Sequence, residues 1–225
     1  LIYLIDKGPF TKVLENFGFL PDQNPVIVPQ LGFKTIDHLT NNVAKGTMQE
    51  WARFYKDIFG FTEVRYFDIK GAKTGLTSYA LRSPCESFCI PINEGTDSKS
   101  QIDEYLREYK GPGIQHLAFT TDDIISSVKG LQHASIQTLD IDKDYYKEVF
   151  KRVSHVTEDK KLIEDLNILV DGDESGYLLQ IFTKTIIGPI FIEIIQRKNH
   201  HSFGEGNFSA LFRSMERDQE KRGVI

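Results

Sequence analysis

Two five-residue stretches decide the fold of this chain: IDHLT at residues 36–40 and IQHLA at residues 114–118. They are the best internal match in the sequence, and each places a histidine, His38 or His116, inside a run typical of a β-strand. The two histidines stand at positions 38 and 116, a period of 78 residues. Because self-similarity at a fixed period indicates a repeated unit, we predict two tandem copies of one module.

The segments that follow the two stretches have the same order in both halves: a strand, a helix and three more strands. In the first half we predict a strand at 33–43, a helix at 48–60 and strands at 61–69, 77–82 and 87–92. In the second half we predict a strand at 113–121, a helix at 122–131, helical insert segments at 144–153 and 158–166, and strands at 168–170, 177–183 and 189–197. An amphipathic helix at 207–222 ends the chain.

The predicted fold class is therefore α+β: two tandem βαβββ modules that form a half-open barrel, with a C-terminal helix. Two half-open sheets side by side can enclose a pocket that one alone would leave exposed. The predicted boundaries are a linker or packing arm at 1–32, a first module at 33–110, a second module at 111–200 with a helical insert at 143–166, and a C-terminal helix at 203–225. The prolines at positions 9, 21, 25 and 29 favour irregular backbone in the arm.

The composition excludes several classes of protein. Of the 225 residues, 40% are hydrophobic and 26% are charged, which is typical of a globular protein and not of a disordered one. The net charge of −5 argues against a nucleic-acid binder, and no apolar run is long enough to cross a membrane. The sequence has two cysteines, Cys85 and Cys89, and we predict that both are free thiols in a reducing compartment.

Three residues are candidates for a metal site. His38 and His116 hold equivalent places in the repeat, so the symmetry of the modules brings them to one cavity. Glu193 stands inside the apolar strand PIFIEIIQR at 189–197, where a carboxylate is costly unless it is paired or bound to a metal. A salt bridge from Glu193 to Arg197 or to another cation is the alternative. Two imidazoles and a carboxylate form a site for Fe(II), and zinc or nickel can use the same ligands.

With these residues in place, the sequence resembles the 4-hydroxyphenylpyruvate dioxygenase family of the vicinal-oxygen-chelate superfamily. The resemblance runs from about residue 33 to residue 223. The motifs that carry it are IDHLTNNV (36–43), PINE (91–94), SQI (100–102), GPGIQHLAF (111–119), GYLLQIFTK (176–184), FIEIIQR (191–197) and FGEGNFSALF (203–212). It implies a half-open barrel around the metal site, a C-terminal helix that gates it, and a further N-terminal domain of similar build that is missing here.

The resemblance also implies a function and the residues that perform it. His38, His116 and Glu193 would bind Fe(II), although another divalent metal can occupy such a site. The expected activity converts 4-hydroxyphenylpyruvate and O2 to homogentisate and CO2 in tyrosine and phenylalanine catabolism. Gln115, Gln180 and Phe208 would take part in catalysis. The substrate contacts that the resemblance implies are Ser78, Asn93, Gln101, Gln115, Gln180, Phe182, Phe191, Phe203, Asn207 and Phe208.

The remaining expectations concern partners and alternatives. The partners would be the α-keto acid, O2, the missing N-terminal domain and other copies of the full-length protein, in the cytoplasm, with no nucleic acid and no membrane. Hydroxymandelate synthase, which oxidises the benzylic carbon of the same substrate, is the main alternative; that branch tends to have isoleucine where this chain has Phe208. A non-catalytic or inactive truncated metal-binding module is a remoter one. Leu211 and Met215 are expected in the core, and residues 215–222 on a solvated helix face.

Overall fold

The computed structural model describes residues 30–71, 73–97 and 99–224. Residues 1–29 of the predicted arm lie outside this description. The helices and strands are β1 (Phe33–Val43), α1 (Met48–Phe59), β2 (Thr62–Lys70), β3 (Gly75–Arg82), β4 (Cys89–Gly95), α2 (Gln101–Tyr109), β5 (Gly113–Thr121), α3 (Ile124–His133), α4 (Lys143–Arg152), α5 (Lys160–Asp165), β6 (Leu169–Asp173), β7 (Gly176–Phe182), β8 (Phe191–Lys198) and α6 (Phe208–Lys221), with a 3-10 turn at Glu205–Asn207. Every predicted strand and helix forms, and its ends shift by three residues or fewer, except that the C-terminal helix bounded at 203–225 is shorter, at Phe208–Lys221.

The eight strands form one sheet in the order β2-β3-β4-β1-β5-β8-β7-β6. β1 and β5, the first strands of the two repeats, pair antiparallel at its centre. Each also pairs in parallel with the last strand of its own repeat, β4 or β8. The strand order is therefore the same read from either end, as two related modules joined along their first strands require. The sheet curls into a half-barrel with helices, which confirms the predicted fold class.

Alternation along β1 separates a core face from a cavity face. Val43 packs in a buried cluster with α1 residues such as Ala52, and Asn41 donates a hydrogen bond to Tyr55 of the same helix. Thr40, on the other face, lines a cavity. α1 ends at Gly60, whose φ of 69° lies in the left-handed region that favours glycine. The second module has a larger core, in which α3 and α4 pack against β6, β7 and β8.

One helix, α2, has no counterpart among the predicted elements. It begins after Ser100, whose side-chain oxygen accepts a hydrogen bond from the backbone N–H of Asp103. A serine followed three residues later by an acidic residue is a helix-start signal, and it was present in the sequence. Ile102 of α2 packs with Leu76 of β3 and Phe212 of α6, so α2 joins the first module to the C-terminal helix.

The last helix corrects one prediction. Residues 215–222 do not form a solvated face throughout, because Glu216 and Gln219 are buried. Glu216 Oε1 accepts hydrogen bonds from the backbone N–H groups of Lys73 and Thr74 (both 2.9 Å) and from the Thr74 hydroxyl (3.0 Å). These bonds attach α6 to the loop between β2 and β3, in the other half of the sheet.

The structure bears on two expectations drawn from the composition, which concern the cysteines and membrane-spanning segments. Cys85 and Cys89 are both free, as predicted. Cys85 is exposed and Cys89 is partly exposed, so neither belongs to the core. Among the described residues, none of the helices is long and apolar enough to cross a membrane.

Candidate metal centre

Both histidines of the repeat lie beside irregularities in the ladder between β1 and β5. The pairing shifts between residues 36 and 38, where Asp37 is the extra residue of β1, and again beside His116, where Gln115 is the extra residue of β5. Neighbouring side chains of a regular strand point to opposite faces, and a bulge re-aims them. As a result Asp37 Oδ2 lies 2.9 Å from His38 Nδ1, and Gln115 Oε1 lies 3.3 Å from His116 Nδ1.

The two imidazoles and Glu193 converge on one point, as predicted from the sequence. Glu193 lies on β8, two strands from β1, and β5 carries His116 between them. Glu193 Oε2 is 3.1 Å from His38 Nε2 and 3.6 Å from His116 Nε2. All three side chains are buried, and their ligand atoms lie within 4.8 Å of one another.

Of the alternative cationic partners for Glu193, Arg197 binds elsewhere, whereas His38 lies against the Glu193 carboxylate. Arg197 makes a two-pronged ion pair with Asp37, with Nε and Nη2 each 2.8 Å from a carboxylate oxygen. Asp37 therefore lies between Arg197 and His38, and holds Nδ1 of that imidazole. The hydrogen bonds at Nδ1 of both histidines leave each Nε2 directed at Glu193.

Burial and the neighbouring charges set different protonation states for the two histidines. Burial alone would lower the pKa of His38, but the carboxylates of Glu193 and Asp37 outweigh it and raise that pKa to about 9. Burial and the charge on His38 hold the pKa of His116 well below its ordinary value. Although burial opposes it, hydrogen bonds from Arg197 and His38 lower the pKa of Asp37. His116 thus offers a lone pair directly, whereas His38 releases a proton before it can bind a metal.

The donor set fits a divalent metal ion. Two imidazole nitrogens and one carboxylate oxygen on one side of a cavity are the ligands of non-haem Fe(II) sites that keep positions open for other molecules. Zinc and nickel accept the same donors. The hydrogen bonds behind His38 and His116 supply the outer partners that metal-binding histidines usually have.

A cavity opens beside His38, His116 and Glu193. It contains about 630 Å³ of space, part of which is open to solvent. Eight of the ten predicted substrate contacts line it: Ser78, Asn93, Gln101, Gln115, Gln180, Phe182, Phe203 and Phe208. Ser78 and Asn93 are opposite each other on β3 and β4, and Gln115 Nε2 donates to Gln101 Oε1 at 3.4 Å.

The other two predicted contacts lie behind this lining. The Phe191 ring stacks on His116, with centroids 4.7 Å apart and planes 19° apart, and Phe191 lines a neighbouring cavity instead. Asn207 is completely buried, and its Nδ2 donates to Gln180 Oε1 at 3.0 Å. Both side chains thus contact residues of the site and do not face the cavity itself.

The structure also adds residues that the sequence did not single out. The hydroxyl of Thr40 is 2.9 Å from His116 Nε2, and the Phe67 ring lies edge-on to Phe203 and Phe208. Leu211 and Met215, expected in the core, line the cavity and pack against the core as well. A signal for Thr40 was available, since it follows His38 by two residues on the same strand face. Phe67 had none, because only the curl of the sheet brings β2 to the site.

Comparisons with known proteins agree with this geometry. The family profile described as Glyoxalase/Bleomycin resistance protein/Dioxygenase superfamily matches residues 35–181. The whole chain aligns with Protein MelA of Shewanella colwelliana at 61% identity and with a 4-hydroxyphenylpyruvate dioxygenase of Legionella pneumophila at 50% identity. The chain covers 65% and 64% of these two relatives, so it spans just under two thirds of their length.

A solved structure shows the same architecture. A mutant of 4-hydroxymandelate synthase from Streptomyces coelicolor matches with a TM-score of 0.75 and 31% identity. The match covers 83% of this chain and 55% of that one. The likeness therefore extends over most of the curled sheet that holds the candidate metal centre.

Proposed function

The chain belongs to the Glyoxalase/Bleomycin resistance protein/Dioxygenase superfamily, and on this premise we propose that it carries the activity of an Fe(II)-dependent 4-hydroxyphenylpyruvate dioxygenase. The proposed reaction converts 4-hydroxyphenylpyruvate and O2 to homogentisate and CO2 in tyrosine catabolism. The observation that carries the proposal is the convergence of His38, His116 and Glu193 on the wall of a mostly apolar cavity. The relatives that bear this enzyme's name support the choice of substrate.

His38, His116 and Glu193 would hold the metal through Nε2, Nε2 and a carboxylate oxygen. Bound Fe(II) would supply the redox chemistry that activates O2. The protein's own contribution is to hold these three donors rigidly, through Asp37 behind His38 and Gln115 behind His116. Rigid donors reduce the reorganisation that binding and reaction require.

The cavity walls divide into apolar and polar parts, as an aromatic keto acid requires. Phe182, Phe203 and Phe208 present ring faces and edges to the substrate ring and keep water away from it. Five polar side chains would orient the carboxylate and phenol ends: Ser78, Asn93, Gln101, Gln115 and Gln180. Because all of these groups except the half-buried Gln101 are buried, a substrate that fails to pair with them binds poorly.

The alternative is 4-hydroxymandelate synthesis from the same substrate, which the structural neighbour of that name favours. Phe208 supports the homogentisate outcome. Its ring lines the cavity and lies edge-on to Phe67, with centroids 5.5 Å apart, so it restricts where the substrate ring can lie. A smaller isoleucine there would leave the ring more freedom to move away from the reacting oxygen.

We also propose that the protein works in the cytoplasm and assembles with copies of itself. The two free thiols support a reducing compartment. Self-assembly rests on the family resemblance alone, and sedimentation of the full-length protein tests it.

Product analysis tests the proposed function. The purified chain is loaded anaerobically with Fe(II), given 4-hydroxyphenylpyruvate and then O2, and the products are separated by chromatography. Separation is essential because homogentisate and 4-hydroxymandelate are isomers with the same mass. Homogentisate with one CO2 per O2 is the expected result. Hydroxymandelate would support the alternative, and absence of both products from an iron-loaded chain would contradict the proposed activity.

A further inference from the structure

We propose that Tyr145, on helix α4 of the helical insert, is a positioning residue for the metal centre. It begins a one-way chain of hydrogen bonds that passes through Asn207 and Gln180 and ends on Glu193. The inference rests on the proposed role of Glu193 as a metal ligand. Asn207 lies behind the cavity lining, and its role in this inference is to connect Tyr145 to Gln180.

The hydrogen-bond chain consists of three bonds between side chains. Tyr145 Oη lies 2.6 Å from Asn207 Oδ1, Asn207 Nδ2 lies 3.0 Å from Gln180 Oε1, and Gln180 Nε2 lies 3.3 Å from Glu193 Oε1. Asn207, Gln180 and Glu193 are buried, so water does not compete for these bonds.

A backbone group fixes the direction of the chain. The N–H of Val170 donates to Tyr145 Oη at 2.7 Å, and a backbone N–H can only donate. The single hydroxyl proton of Tyr145 therefore goes to one of two acceptors, Asn207 Oδ1 at 2.6 Å or the Val170 carbonyl at 2.8 Å. The Val170 carbonyl already accepts from Arg152 Nη2 at 3.3 Å, so Asn207 is the acceptor that depends on Tyr145.

That direction settles how Gln180 faces the metal centre. With Oδ1 of Asn207 accepting from Tyr145, its amide N–H is left to donate to Gln180 Oε1. Gln180 then presents its own NH2 group to Glu193 and to the cavity. If Gln180 were reversed, two oxygen atoms would meet with no proton between them. Gln180 thus steadies the carboxylate and offers a donor to an anionic or carbonyl oxygen of the substrate.

Close packing holds the segment that carries Asn207. A Cβ on Gly204 would lie 1.8 Å from Gln180 Oε1, so only glycine allows the turn to pass this close. The N–H of Gly206 donates to Asp171 at 3.0 Å, and Arg152 also binds Asp171. Tyr145 and Arg152 are seven residues apart on α4, which is about two helical turns, so one face of the insert secures the turn.

The test compares Tyr145→Phe with Tyr146→Phe. Tyr146 is the adjacent residue of the same helix and is also buried, but its hydroxyl has no hydrogen-bond partner among the described residues. Both substitutions remove one oxygen atom. The first readout is the side-chain amide resonances of Asn207 and Gln180, in the chain with no metal added. We expect these signals to shift in Tyr145→Phe and to stay in place in Tyr146→Phe.

The second readout is the affinity for Co(II) alone, without substrate. Loss of a partner bonded directly to a metal ligand typically weakens metal binding by tenfold or more. Tyr145 acts through Asn207 and Gln180, so we expect binding weakened by up to about tenfold for Tyr145→Phe and none of this loss for Tyr146→Phe. Asn207→Leu has a similar volume but can neither accept from Tyr145 nor donate to Gln180, so it should weaken binding at least as much. Unmoved amide signals in Tyr145→Phe, or wild-type cobalt affinity in either Tyr145→Phe or Asn207→Leu, would overturn the inference.

The two proposals fail in different ways. If the wild-type protein makes no homogentisate, the proposed activity is contradicted. The amide signals and the cobalt affinities still test the hydrogen-bond chain independently. If the wild-type chain binds no Co(II), the proposed metal centre fails, and the amide signals decide alone whether Tyr145 orients Gln180.

Discussion

The two repeats differ in the residue that precedes each histidine of the candidate metal centre. Asp37 and Gln115 hold equivalent places in the repeat, and each contacts Nδ1 of the histidine that follows it. Asp37 is an anion backed by Arg197, whereas Gln115 is neutral and is linked to Gln101. The same backbone geometry thus gives one histidine a charged partner and the other a neutral one.

We predict that Asp37→Asn destabilises the fold in a pH-dependent way, because it leaves Arg197 without a charge partner. The folded-state pKa of Asp37 is lowered, so its contribution is complete above the unfolded pKa of about 3.9 and is lost as the pH falls. Urea unfolding should show a gap between wild type and variant of about 2 kcal/mol at pH 6 that shrinks toward pH 3. A gap that stays constant over this range would refute the charge argument.

At the far side of the cavity, we predict that Phe208→Ile changes the product. The smaller side chain leaves the edge-on contact with Phe67 and widens the space available to the substrate ring. Chromatography should show a larger share of 4-hydroxymandelate than in wild type. Phe54→Ile, at a partly exposed phenylalanine of α1, is the control and should leave the product mixture unchanged. The same mixture in both variants would remove Phe208 from product control.

Helix α3 shows how a single side-chain hydrogen bond marks the start of an element. It begins after Asp123, whose side chain accepts a hydrogen bond from the backbone N–H of Ser126 and whose pKa is lowered by bonds from Ser126. Asp122, one residue earlier, makes only an exposed ion pair with Lys34 among its described contacts. The sequence showed two acidic residues at a helix start, and only the backbone geometry shows which of them is the cap.

We predict that Asp123→Ala lowers the free energy of unfolding by about 1 kcal/mol, the usual cost of losing such a cap. Asp122→Ala is the matched control and should change stability by less than about 0.5 kcal/mol, because exposed ion pairs contribute little. Urea titrations of both variants at neutral pH measure the difference. Equal losses in the two variants would show that charge near the helix start matters more than the hydrogen bond.

For the molecule as a whole, the repeat made most of the architecture predictable. The period between His38 and His116 indicated two modules, and apolar spacing located their strands and helices. Glu193 could be predicted as the third candidate ligand because it is a carboxylate in an apolar strand. These signals are local or periodic, so they can be recognised in the sequence without knowledge of the fold.

What escaped prediction depends on contacts between distant segments. Arg197 binds Asp37 across 160 positions, and no local pattern marks either residue as the other's partner. Glu216 lies four residues after the buried Phe212, on the same face of α6, and residues 73 and 74 bind its carboxylate there. Asn207 was predicted at the site but not behind it, since its place depends on how the turn packs on Gln180.

The central claim is that three side chains from β1, β5 and β8 form one metal centre. The most direct measurement is an anaerobic Fe(II) titration of the wild-type chain and of His38→Ala, His116→Ala and Glu193→Ala, with His133→Ala as control because His133 is exposed on α3. We expect one tightly bound ion per chain in wild type and control, and binding weakened by about 100-fold or more in each of the three variants. Wild-type affinity in any of those three would contradict it.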